Sequence, residues 1–185
     1  MGRPRTFDRD VALTSAMKLF WRYGYQGTSI SDLTAAMGIA PPSLYAAFGD
    51  KRQLFEAAAD LYQDTPDSFD RLALQEPTAR AAIARLLHDA ALEYTKTSQP
   101  RGCLILSEPL LERHRERSRR ALIDRLRRGR ADGDIGAEVD LDELADYVTV
   151  VLSGLSSQAR YGAERRTLVA AADAAMRAWP MDKPE

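Results

Sequence analysis

Apolar positions recur at helical spacing along most of this 185-residue chain. Between Asp8 and Tyr23, the residues Leu13, Ala16, Met17 and Phe20 fall at i, i+3, i+4 and i+7, and Trp21 widens the stripe; a first helix is predicted, closed by Gly24. Ile30, Leu33 and Met37 share one face of a second helix. Ser29 suits its N-cap, Asp32 adds negative charge to its first turn, and Gly38 suits its end, where φ > 0 is needed. Ile39 plugs the turn. Pro41 and Pro42 fit the start of a third helix but not its interior. Leu44 and Phe48 then face inward, which leaves Ser43, Tyr45, Ala46 and Ala47 outward. Gly49-Asp50 caps a fourth helix whose buried side is Leu54, Phe55, Ala58, Leu61 and Tyr62.

The pattern breaks from Thr65 to Pro77, which predicts a linker or a fraying helix end with a short turn. Thr78 caps the next helix, with Ile83, Leu86, Leu87, Ala90 and Tyr94 on one face to about Lys96, and 98–102 stops it. Cys103 to Leu111 is the most apolar stretch, split by Pro109 into short helical pieces. Arg113 to Arg130 holds nine arginines against Glu116 and Asp124, with only Leu122, Ile123 and Leu126 inward. That helix suits a solvated face paired to acids of its own body, an anionic ligand, or a second nucleic-acid surface.

The last two helices carry more apolar surface than one core needs. From Asp140 on, Leu141, Leu144, Ala145, Val148, Leu152, Leu155 and Ala159 make one face, while Tyr147, Val150, Val151 and Gly154 make another. From about Glu164 to Trp179, Leu168, Ala172, Ala175, Met176 and Trp179 are backed by Ala171, Ala174 and Ala178. A helix apolar on two sides is buried on both. Pairing with a second copy through Tyr147, Val151, Gly154, the adjoining Leu155, Ala171, Ala174 and Ala178 would satisfy the second face as a four-helix interface.

The third helix is too short to be stable alone, so its neighbours must hold it. The spacing over Thr28–Lys51 suits either a helix-turn-helix, whose second helix enters the major groove, or an ordinary helical corner. The residues themselves decide between them. Gly24-Tyr25-Gln26-Gly27-Thr28-Ser29, Met37-Gly38-Ile39-Ala40, Ser43 to Lys51 and Leu54-Phe55 resemble the DNA-binding domain of TetR-type transcriptional repressors, densely over Phe7 to about Tyr62. Two positions depart from the family pattern: Thr34 stands where alanine is usual, and Ala46-Ala47 where many members carry histidine. The resemblance implies that Thr28, Tyr45 and Lys51 contact phosphates and that Pro42, Ser43 and Ala46 face base edges, with Ser29 at the same surface. It also implies dimerisation through the last two helices and, in most members, repression lifted by a small effector. The R-G-C-L run at Arg101–Leu104 recurs in one branch of the family near the ligand cavity. Helix position nominates Tyr62, Leu87, Tyr94, Cys103 and Leu106 as cavity wall, each a residue type more often found in a core than against a ligand.

Composition and charge fit. Hydrophobic residues at 45% with 29% charged mark a globular chain. The net charge of −1 hides an asymmetry: residues 1–52 carry seven Lys/Arg against four Asp, the remainder 19 basic against 23 acidic side chains. Arg3 and Arg5 form a basic arm suited to a minor groove or to diffuse phosphate contact. The basic, polar N-terminus is no signal peptide, no run is long enough to cross a membrane, and the single cysteine, Cys103, fits a reducing cytoplasm. No metal-ligand spacing occurs and neither histidine lies in an activating pattern with Cys103 or a serine, so no metal, cofactor or enzymatic activity is expected. The expectation is an all-α chain. Residues 1–52 form a helix-turn-helix DNA-binding domain; residues 53–185 form a helical ligand-binding and dimerisation domain. It would act as a homodimeric repressor on a palindromic duplex. The alternatives are a regulator without an effector and a helical protein-interaction adaptor.

Overall fold

The computed structural model describes residues 7–180, and every regular element among them is helical. The chain divides into two compact units between Thr65 and Pro66. The expected boundary after Arg52 follows the end of the DNA-reading elements; the packing keeps the whole fourth helix with the first unit.

The first unit holds α1 (Arg9–Tyr23), α2 (Ile30–Met37), α3 (Pro41–Phe48) and α4 (Lys51–Gln63). Asp8 starts α1 by accepting from the backbone N–H groups of Asp10 and Val11, and Gly24, at φ 74°, ends it. The apolar stripe of α1 buries Leu13, Ala16 and Phe20 against Leu54, Phe55 and Ala58 of α4. Phe20 meets Phe55 edge-on with ring centroids 4.9 Å apart, and Trp21 meets Tyr62 at the same distance. This α1–α4 pair is the platform on which the short α2 and α3 rest; neither could hold its shape without it.

In the second unit, α6 (Ala79–Glu93) is the central helix, in contact with α5 (Phe69–Ala73), α8 (Glu112–Ala131), α9 (Leu141–Arg160) and α10 (Arg165–Met176). Ile83, Leu87, Ala90 and Ala91 of α6 are buried with Leu126, Val148 and Leu168 of its neighbours. A short α7 (Leu104–Ser107) and a 3-10 turn at Pro109–Leu111 carry the apolar run between α6 and α8. The segment expected to be a linker contains α5. Its five residues are too few to show a period, and they are held by contacts such as Phe69, whose ring stands edge-on to Tyr94 at 5.9 Å.

The arginines of α8 differ from expectation. Arg119 does pair with acids, Asp142 and Asp146 of α9, at 3.0 Å each. Arg125, however, is only 3% exposed, and its Nη2 donates to the carbonyls of Glu76 and Pro77, both at 3.1 Å. Arg115, Arg128 and Arg130 likewise donate to backbone carbonyls, of Glu108 and Pro109, of Leu74, and of Val139. The helix is therefore a set of guanidinium clamps on loop backbone as much as a solvated face.

Candidate nucleic-acid interface

The interface begins at the turn joining α1 to α2. Thr28 is 2% exposed, and its hydroxyl donates to the carbonyl of Gly24 at 2.7 Å, which locks the turn to the end of α1. Ser29 is the N-cap expected of it, and its partner was only half legible. Asp32 does more than place charge in the first turn: its Oδ2 accepts from the backbone N–H of Ser29 at 2.9 Å and from its hydroxyl at 2.6 Å, while Ser29 Oγ accepts from the N–H of Asp32 at 3.0 Å. These bonds, the hydroxyl's foremost, hold the Asp32 carboxyl below its ordinary pKa. The serine-x-x-acid spacing was the available signal.

Gly38 ends α2 in the left-handed conformation (φ 67°, ψ 30°), and the N–H of Ile39 returns to the carbonyl of Thr34 at 3.1 Å. Thr34, the departure from the family pattern, is buried, with its hydroxyl donating to the carbonyls of Ile30 at 3.0 Å and Ser31 at 3.1 Å. The hydroxyl is thus satisfied within α2, and the β-branched side chain fits.

The start of α3 has Pro41 and Pro42 in its first turn and no acidic residue there. Leu44 and Phe48 are buried beneath it. Pro42 and Ala46 are exposed, Ser43 and Ala47 half-exposed, and Tyr45 is 50% exposed. The outward face is therefore small side chains plus one phenol, which lets the helix axis come close to a partner surface. Gly49 (φ 75°) and the Asp50 cap then turn the chain into α4. Lys51, the first residue of α4, lays its ammonium over the Tyr25 ring, 4.3 Å from the centroid. Arg9, the first residue of α1, does the same over Phe48, 4.7 Å from guanidinium carbon to centroid. Ser29, Pro42, Ser43, Tyr45 and Lys51 all lie in this unit at the start of α2, along α3 or at the start of α4. Arg3 and Arg5 lie outside the described residues. The expectations did not include Arg9 or Tyr25, because nothing in local spacing announces a ring beneath a cation.

The family model for bacterial regulatory proteins of the tetR family matches residues 12–58. The HTH-type transcriptional repressor ComR of Escherichia coli (strain K12) is 34% identical over 97% of this chain and 92% of its own. The chain belongs to the TetR family. The transcriptional repressor BdcR of the same organism is 29% identical over 92% of this chain and 88% of its own. Among solved structures, a cysteine-substituted CifR complexed with 26-bp double-strand operator DNA is 43% identical and superposes with a TM-score of 0.91, over 97% of this chain and 100% of that one. This TetR-family chain is accordingly a DNA-binding transcriptional regulator, not an enzyme.

In the body of this TetR-family regulator, Leu87, Tyr94 and Cys103 are buried and Leu106 is half-buried. Tyr94 and Cys103 are hydrogen-bonded to each other. Burial above all, then the nearby Cys103 and Asp70, push the Tyr94 phenol well above its usual pKa, so it stays neutral. Tyr62 is placed in the first unit against Trp21. A pocket of about 330 Å³ opens elsewhere, where α8 ends and α9 begins, lined in part by Arg127, Arg130 and Asp140, and by none of the five expected effector residues. On the last two helices, Gly154, Ala171 and Ala174 are exposed, Tyr147 and Val151 half-buried, and Leu155 buried within the chain itself; Ala178, expected on the last helix, is exposed in the turn beyond its end at Met176. The Tyr147 hydroxyl donates to the Ala175 carbonyl at 2.8 Å and ties α9 to α10. No helix among the described residues is long and apolar enough to cross a membrane.

Proposed function

We propose that this chain is a cytoplasmic homodimeric repressor whose two heads bind a palindromic operator and which a small effector releases. The observation that carries the reading is the face of α9 and α10 left uncovered. Val150 is 70% exposed, Gly154 one turn along α9 is exposed, and so are Ala171 and Ala174 on α10 and Ala178 just beyond it, which together supply the apolar strip of small residues that close helix packing needs. A second copy related by a twofold axis covers that strip with the same strip. Two heads then read half-sites about one helical turn apart, roughly 34–36 Å, which one weakly binding head cannot do. The relatives ComR and BdcR are repressors, and CifR is seen on operator DNA.

In this reading Pro42 and Ser43 face base edges, while Tyr45, Lys51 and the Ser29 end of α2 meet phosphates. Thr28 serves by fixing the turn behind them. The arm with Arg3 and Arg5 adds cations to the same surface. The effector is an apolar molecule received within the second unit, among the side chains of Leu87, Tyr94, Cys103 and Leu106. It acts only insofar as it binds the released and DNA-bound states unequally.

Sedimentation equilibrium and a gel shift with the promoter region upstream of the chain's own gene test this together. The expected result is a mass of twice 20.6 kDa and sequence-specific retardation that weakens steeply with salt. A monomer at micromolar concentration removes the twofold mechanism, and absence of retardation at low salt removes the operator.

A further inference from the structure

We propose that Arg9 is a DNA-backbone contact, and that the ring of Phe48 at the end of α3 is what positions it. The inference rests on the DNA-binding reading of the head and extends it to a residue outside the helix-turn-helix. Phe48 is the last residue of α3 and is buried on its inner side. Phe7 packs on the same ring, centroids 6.3 Å apart, so the chain enters α1 beside the end of the helix that faces DNA. Two residues on, the Arg9 guanidinium lies over the ring at 4.7 Å while the residue stays exposed.

Among the described residues the charge has no other use. Arg9 forms no ion pair among the described residues, unlike Arg52 with Glu56, Arg85 with Glu76 or Arg119 with Asp142. As the first residue of α1, it opposes that helix's dipole. Lys51 repeats the arrangement just after α3. It too is a helix-initial cation laid on an aromatic face, Tyr25, without a carboxylate partner among the described residues. A free arginine loses side-chain freedom when it grips a phosphate; one already resting on a ring has lost part of it beforehand. Phe48 thus joins two tasks, filling the core beneath α3 and aiming a cation beside it. The competing account is structural: a guanidinium near the C-terminal carbonyls of α3 is favourable by itself and would stabilise the head without touching DNA.

The full chain and a duplex selected by the unaltered protein from a randomised pool separate these, by fluorescence anisotropy over a range of salt. Arg9→Gln is expected to weaken binding roughly 5- to 10-fold near 0.1 M salt and to reduce the slope of log K against log salt by about 0.9 for each Arg9 lost from the complex. Arg9→Lys is expected to retain the slope. Phe48→Leu, which keeps an apolar side chain beneath α3 but removes the ring, is expected to weaken binding at unchanged helical content. An unchanged slope in Arg9→Gln, with or without a lowered melting temperature, overturns the proposal. If Tyr45→Ala/Lys51→Ala loses affinity and slope while Arg9→Gln does not, the DNA-binding reading stands and the Arg9 proposal falls. If the unaltered protein selects no duplex, both fall.

Discussion

Gly102 lies against Ser156 so closely that a Cβ at residue 102 would stand 2.8 Å from the Ser156 carbonyl oxygen. The same atom would meet Arg160 Cγ at 2.7 Å, and the backbone there has φ 77°. On either side, the Cys103 N–H donates to Ser156 Oγ at 2.9 Å, and Arg101 Nε donates to the Ala159 carbonyl at 2.7 Å. Arg101 also reaches the carbonyl of Ala163. The R-G-C run is therefore a clasp on the end of α9. Gly102→Ala is expected to cost about 2–3 kcal/mol from left-handed strain and the clash together. Calorimetry would show a melting temperature several degrees lower; an unchanged one would mean the corner yields freely.

A second close approach joins α6 to α8. A Cβ on Gly129 would lie 2.5 Å from Ala79 Cβ and 2.4 Å from Asp134 Oδ1. Asp134 in turn accepts the first N–H of α6, from Ala79, at 2.6 Å through Oδ2. Gly129→Ala is expected to destabilise by about 1–3 kcal/mol through overpacking, and Asp134→Ala by about 1–2 kcal/mol through the orphaned N–H. Urea midpoints at constant m-value would report both.

Arg125 is the buried cation of α8. Replacing it by leucine removes the donors from the Glu76 and Pro77 carbonyls, just before α6. A loss of about 2–4 kcal/mol is expected, larger than for any exposed arginine of α8. If Arg125→Leu melts with the unaltered protein, those carbonyls find water and the clamp has no structural value.

Acid should loosen the start of α2. The Asp32 carboxyl is held below its ordinary value of 3.8 by the Ser29 hydroxyl first and its N–H second. A depressed folded pKa means the stabilisation is complete above the unfolded value and is lost as pH falls through the lower folded one. Melting curves of the unaltered protein and Asp32→Asn should differ at pH 6 and converge as the pH falls below the ordinary carboxylate range. A gap that stays constant across that range would show that the carboxylate charge is not what the capping box uses.

Tyr45→Ala with Lys51→Ala should weaken binding to all duplexes by a similar factor and reduce the salt slope by about 1 for each ammonium lost. Binding titrations on the selected duplex and on mixed-sequence DNA check this. A loss confined to the selected duplex would move Tyr45 from phosphate to base contact.

What was legible in the sequence was what acts over a few residues. The stripe Leu13-Ala16-Phe20, the Ser29 and Asp50 caps, the left-handed Gly38 and the proline start of α3 each depend on neighbours within about a turn, and each is where the pattern put it. The outward set Pro42, Ser43 and Tyr45 followed once Leu44 and Phe48 were assigned inward. The tertiary structure decided everything whose partner lies far along the chain. Asp134 caps a helix 55 residues before it, Arg101 clasps one 58 residues after it, and Arg125 is buried 48 residues from the carbonyl of Pro77. Thr28 turned inward, and Arg9 and Lys51 found rings that no periodicity points to. Helical periodicity says which side of an element is apolar; which distant group then meets a carbonyl, a cation or a missing Cβ is chosen only when the elements pack.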